Sequence, residues 1–211
     1  MNPTTNPIAL QSKNMYVSAL LELMNEKPYN QISISELSDK ADLSRRTFYR
    51  LFHSMDEILL YHIHGLWEKE SDELYNSSDK SYLHTSEFAL HFWYEHRELT
   101  ILLYRNGLVS IIQQFINEIS LEIYHTQKPD HKLAKNPEAL EYALSYSSGG
   151  ILNIICTWAS KGMDKSPEEL MALLKLALGY ENFENHTIKS SNSNNHLCSP
   201  FQRLNTGIKI Y

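Results

Sequence analysis

Glycine and proline are scarce in this 211-residue chain, with seven of each, and cysteine is scarcer still, with two. So little turn-forming chemistry argues against an all-β protein built from many short strands. Cys156 and Cys198 make no disulfide framework, which fits a reducing compartment. The apolar runs fall far short of the roughly 20 residues a membrane-spanning helix needs, and the opening residues show no signal-peptide pattern. The expectation is a cytoplasmic protein with no membrane partner. No nucleophile motif, phosphate-cradling glycine loop or compact His/Cys/Asp set stands out, so neither catalysis nor a metal or cofactor is expected.

What is present is apolar and acidic. Hydrophobic residues make up 42% of the chain, enough for a substantial core. The net charge is −6, an unpromising sign for a nucleic-acid binder, but it is unevenly spread. Residues 12–54 carry six basic and five acidic side chains, and residues 55–211 carry thirteen and twenty. That asymmetry suggests a DNA-facing head on a body that DNA repels.

The pattern is helical throughout. Residues 1–11 read as a loose polar arm. A helix is expected over 12–26, with Tyr16, Ala19, Leu20, Leu23 and Met24 on one apolar face and Pro28 stopping it. Ser33 with Glu36, and Ser54 with Glu57, are capping-box pairs that open helices near 34 and 55, the second running to about 75. Further helices are expected near 85–95, 97–105 and 108–126, then a loop at 125–135. Asn136-Pro137 opens a long helix to 160 with Leu140, Leu144, Ser147, Ile151, Ile154 and Trp158 on one side. Ser166-Pro167 opens the last, to about 180. Residues 181–211, with a Ser/Asn tract at 190–195, read as a flexible tail.

The segment 33–52 carries the chemistry. It reads as two short helices joined by Ala41-Asp42-Leu43, where Asp42 tolerates a left-handed backbone. Ser44 caps the second helix, which buries Phe48 and Phe52. Its other positions suit DNA. Arg45 and Arg46 neutralise phosphates or fork onto guanine edges. Thr47 is short enough for a thymine methyl, Tyr49 has a hydroxyl for a phosphate, and Arg50 points close to the same side. Ser33, Ser44 and His53 complete the expected DNA-binding set. A solvated charged face and a packing role for Tyr49 are the plain alternatives, and Lys40 is a rim candidate.

These residues resemble the TetR (tetracycline-repressor) family of bacterial regulators over about 9–67. The resemblance lies in the first amphipathic helix, Ile32-Ser33-Ile34-Ser35-Glu36-Leu37, Ala41-Asp42-Leu43-Ser44, Thr47-Phe48-Tyr49-Arg50-Leu51-Phe52, and His53-Ser54-Met55-Asp56-Glu57-Ile58-Leu59. It implies an all-α fold: a three-helix helix-turn-helix DNA-binding domain over 9–69, and a helical regulatory and dimerisation domain over 76–180. It also implies a homodimer through the helices near 137–160 and 166–180, reading double-stranded DNA as an inverted repeat. The stretch 142–160, YALSYSSGGILNIICTWAS, is similar to the subgroup typified by the dihydroxyacetone-kinase operon activator. The implied function is a ligand-responsive repressor, or, on the subgroup likeness, a regulator or activator controlled by a protein partner.

Three positions depart from the family pattern, which often has glycine at Asp42, histidine at Leu51 and a phosphate-binding lysine at Met55. Aromatics crowd the body: Trp67, Phe88, Phe92, Trp93, Tyr104, Phe115, Tyr146 and Trp158. Most suit a core, and a subset suits an apolar effector pocket.

Overall fold

The computed structural model of the chain describes residues 6–127 and 135–177. Every regular element among them is a helix, as the scarcity of turn residues and the helical spacing predict. The proposed tail at 181–211, Cys198 and most of the 125–135 loop lie outside the described residues.

The first helix, α1 (Pro7–Glu26), starts five residues before its apolar stripe does. Asn6 caps it, its side chain accepting from the Ile8 N–H at 3.0 Å, and Pro7 takes the first position, where a missing N–H costs nothing. Residues 7–11 of the expected loose arm are therefore helix, and residues 1–5 lie outside the described residues. The apolar side chains of Ile8 and Leu10 face solvent, so burial begins only at Ser12 and Tyr16.

Three short elements follow: a 3-10 turn (Tyr29–Gln31), α2 (Ile34–Lys40) and α3 (Arg45–Leu51). Then α4 (Met55–Glu70) runs into a short α5 (Asp72–Asn76), so the single helix expected to 75 divides at Ser71. Tyr16, Leu20, Leu37, Phe48 and Ile58 are wholly buried where α1 packs on α2, α3 and α4. Burying each such side chain contributes roughly 1.5–3 kcal/mol, which sets these short helices against one another.

The body comprises α6 (Tyr82–Glu95), α7 (Arg97–Arg105), α8 (Val109–Gln127) and α9 (Pro137–Ser160). Ser81 starts α6 by accepting from the His84 N–H, a cap that extends the helix three residues before the expected start. Asn136-Pro137 opens α9 as predicted, with the Asn136 side chain accepting from the Ala139 N–H. The buried side of α9 is Leu140, Ser148, Ile151, Ile155 and Trp158. It passes through Ser148 and Ile155, one residue on from the expected Ser147 and Ile154. Both members of each pair have similar polarity, so composition alone does not choose between them.

Helix α8 packs on α4, α5, α7 and α9. At its centre Phe115 lies 5.9 Å from Trp67, 5.9 Å from Phe92 and 5.7 Å from Trp93, ring centre to ring centre. Phe88 joins through Trp67 at 5.4 Å, and Trp158 stacks on Tyr94 at 5.4 Å. These rings pack against one another in the body.

The last element, α10 (Pro167–Ala177), opens with a complete capping box: Ser166 and Glu169 each accept from the other's backbone N–H, at 3.3 and 2.8 Å.

Candidate nucleic-acid interface

Two serine caps and one left-handed residue build the reading unit. Ser33 accepts from the Glu36 N–H and opens α2. The Glu36 carboxylate pairs with Lys27 and also lies against the Ser33 backbone N–H. That pairing and the Ser33 contact hold the Glu36 carboxyl below its ordinary range. Asp42 takes φ +53°, the conformation the turn requires and one short polar side chains tolerate. Ser44 then caps α3, accepting from the Thr47 N–H at 3.1 Å.

Helix α3 presents a sharp division. Phe48 is fully buried, with Tyr16 edge-on at 5.7 Å, and Phe52 is buried behind it. Arg45, Arg46, Tyr49 and Arg50 are exposed. At 100° per residue they fall within about 140° of one another, a width suited to a groove. Tyr49 is 56% exposed with its ring edge against Phe48, so its base packs while its hydroxyl end faces out. None of the three arginines has an ion-pair partner among the described residues. An unpaired cationic face needs no desolvated carboxylate removed before it meets a phosphate.

The other predicted positions divide. Thr47 is half-buried and its hydroxyl lies 3.0 Å from Ser44 Oγ, so both serve the helix start as well as facing outward. His53 extends from the corner between α3 and α4, with its side chain 92% exposed and Nδ1 3.2 Å from Glu57. Glu57 also accepts from the His53 backbone N–H at 2.8 Å, while Ser54 accepts from the Glu57 N–H. The second capping box thus closes one residue further out than expected. These contacts, that of the His53 N–H foremost, lower the Glu57 carboxyl pKa. Lys40 is turned away from the reading face, with Nζ 3.1 Å from Glu22 and 3.2 Å from Glu26 on α1.

Two tyrosines matter more than spacing indicated. The Tyr16 hydroxyl donates to the Ser44 carbonyl at 3.0 Å, tying α1 to the start of α3. The Tyr29 backbone N–H donates to Asn106 Oδ1 at 2.9 Å, and the Tyr29 hydroxyl donates to Asp56 in the first turn of α4. Burial, reinforced by Asp56, keeps that phenol protonated well above its ordinary range. For Tyr16 the sequence signal is a tyrosine where leucine would serve the apolar stripe of α1.

A short braced helix with an outward cationic face, entered from a capped partner helix through a left-handed turn, is a helix-turn-helix DNA-binding head. The family described as "Bacterial regulatory proteins, tetR family" matches residues 17–61, and that described as "Transcriptional regulator C-terminal region" matches 80–178. Together they span more than half of the chain, and the protein belongs to the TetR family of transcriptional regulators.

A curated relative is the HTH-type dhaKLM operon transcriptional activator DhaS of Lactococcus lactis subsp. lactis (strain IL1403), 29% identical over 79 residues. The match covers 37% of this chain and spans only 40% of that relative's length. Among solved structures, Lin0861 from Listeria innocua superposes with a TM-score of 0.70 at 16% identity, over 83% of this chain and 93% of the other. At that identity the likeness speaks for the fold. No helix among the described residues is long and apolar enough to cross a membrane, and no group of three or more His, Cys, Asp or Glu among them is placed to hold a metal ion.

Proposed function

We propose that the protein is a cytoplasmic homodimeric regulator that reads an inverted-repeat operator through two copies of α3, one in each of two successive major grooves. The observation that carries this reading is the unpaired Arg45, Arg46 and Arg50 face on a helix whose opposite side is locked by Phe48 and Tyr16. In it, Ser33, Ser44, Arg45, Arg46, Thr47, Tyr49, Arg50 and His53 form the contact set. The head occupies 9–69 and the body 76–180. The acidic body keeps the remaining surface off the phosphate backbone.

Dimerisation is assigned to the helices near 137–160 and 166–180. On α9, Tyr142 and Tyr146 are 70% and 69% exposed, and a Cβ added at Gly149 or Gly150 would have nothing within 4 Å in the single chain. Mid-helix glycine costs about 1 kcal/mol against alanine, so keeping two suits a face where another backbone approaches closely. On α10, Leu173 and Leu176 are exposed.

The regulatory input in this reading is a small molecule that favours a dimer whose two reading helices are mis-spaced for the operator, which makes the protein a repressor. The candidate ligand site in this reading is a groove of about 470 Å³ between α1, α4 and the corner of α6 and α7, lined by Leu21, Leu66 and Leu102 with Glu95, Arg97 and Glu98. The second reading is a regulator or activator controlled by a protein partner. It draws on the relative named as an operon activator and on the packed aromatic core.

Selection of bound fragments from random duplex DNA tests the main reading. Enrichment of an inverted repeat by the wild type and not by Arg45→Ala is expected. Failure of the wild type to enrich any inverted repeat, with Arg45→Ala behaving alike, overturns it. Purification from cells separates the two inputs: a stoichiometric partner favours the second, and thermal stabilisation by a small metabolite favours the first.

A further inference from the structure

Residues 12–54 hold three lysines, and two are spent. Lys27 is paired with Glu36, and Lys40 with Glu22 and Glu26. Lys13 on α1 has no ion pair among the described residues. Its ammonium sits 4.6 Å from the ring centre of Tyr61 and 5.5 Å from that of Phe52. Phe52 ends α3, and Tyr61 is in the second turn of α4. The two ring faces attract the ammonium and hold it beside the corner between α3 and α4, and the side chain stays partly open to solvent.

The surroundings need a cation. The first turn of α4 carries Asp56 and Glu57, and Met55 is uncharged. Asp56 accepts from the Tyr29 hydroxyl and Glu57 from His53, so both carboxylates are oriented but neither is neutralised by a lysine or arginine in contact. The charge of Lys13 reaches Glu57 and contributes to lowering its pKa. A DNA strand passing the exposed His53 would otherwise meet two carboxylates.

We propose that Lys13, projected from α1 across Phe52 and Tyr61, is a phosphate contact of the DNA-binding surface, supplying from another helix the cation that Met55 does not provide. The proposal rests on the reading of α3 as the DNA-facing helix. Lys13 would engage the backbone next to the corner between α3 and α4, contribute no base discrimination, and offset the negative first turn of α4.

The test is the salt dependence of full-length protein binding to a labelled short duplex of mixed sequence. Each neutralised phosphate contributes about 0.9 to the slope of log K against log salt. Lys13→Met keeps an apolar stem over the two rings and removes the charge, and Lys13→Gln is a second neutral variant. Both are expected to flatten the slope by about one unit per protomer, and Lys13→Arg to retain it. Lys27→Met, at a paired lysine, is expected to leave the slope unchanged. Thermal melting checks that each variant is folded. A wild-type slope in the folded neutral Lys13 variants, with a lowered slope in Arg45→Ala, overturns the Lys13 contact and leaves the reading helix standing. Absence of salt-dependent binding in the wild type overturns both.

Discussion

The hydroxyl of Tyr16 donates to the carbonyl oxygen of Ser44 across 3.0 Å, with Tyr16 fully buried. That bond joins the middle of α1 to the residue that caps α3, and the Ser44 side chain meanwhile accepts from Thr47. One serine thus fixes both the start of the reading helix and its seat on the head. Tyr16→Phe keeps the ring packing on Phe48 and removes only the bond. A loss of about 1 kcal/mol is expected in denaturant unfolding. DNA affinity should fall too, since α3 loses a restraint on its tilt. An unchanged unfolding midpoint would show the bond contributes nothing.

Phe48 stands behind every exposed arginine of α3. Phe48→Ala empties a fully buried site and should cost about 3–5 kcal/mol. The head is small, so its tertiary order should go while the body persists. Loss of DNA binding, with the near-ultraviolet signal of Trp93 and Trp158 in the body retained, is the expected pairing of results.

Much of this head is legible because its signals are local. Ser33, Ser44 and Ser54 each stand three residues before the N–H they accept, and Asp42 is a permitted left-handed residue at the only place one is needed between α2 and α3. The start of α1 is hidden from the periodicity although Asn6-Pro7 carries the same chemistry as Asn136-Pro137. Its first apolar side chains face solvent, and without a buried stripe the periodicity is silent there. The braces from Tyr16 to Ser44, Tyr29 to Asn106 and Lys13 to Tyr61 join residues 28, 77 and 48 positions apart, distances at which a pattern along the chain carries no information. The aromatic core is the same case: the composition shows the rings, and only the packing of α4, α6 and α8 shows that they meet.

Gly149 and Gly150 separate folding from assembly. Neither site is crowded in the single chain, so alanine at either should stabilise α9 by about 1 kcal/mol in a monomer. If a partner backbone approaches there, the same change should weaken the dimer. Gly150→Ala is expected to raise the monomer's melting temperature at high dilution and to raise the dimer dissociation constant in sedimentation. A variant that strengthens both would place the dimer contact elsewhere.

His62 sets a pH dependence. Burial, with the nearby charges of His96 and Lys69 adding to it, lowers its pKa from the ordinary 6.5. The unfolded chain therefore binds a proton more readily than the folded one, and stability rises with pH across the interval between the two values. The contribution is fully present above 6.5 and is lost as pH falls through the unfolded and then the folded value. His62→Gln should flatten the stability profile in that window, measured by urea unfolding at a series of pH values.

The central claim is that two symmetry-related copies of α3 occupy the major groove, and guanine N7 methylation tests it most directly, since that atom lies only in the major groove. On a selected operator, methylation should block wild-type binding at two clusters of guanines whose centres are about 34–36 Å apart, one helical turn. Arg45→Ala should lose that sensitivity at some of those guanines. Binding that is indifferent to N7 methylation, or blocked at a single unrepeated cluster, would contradict the account.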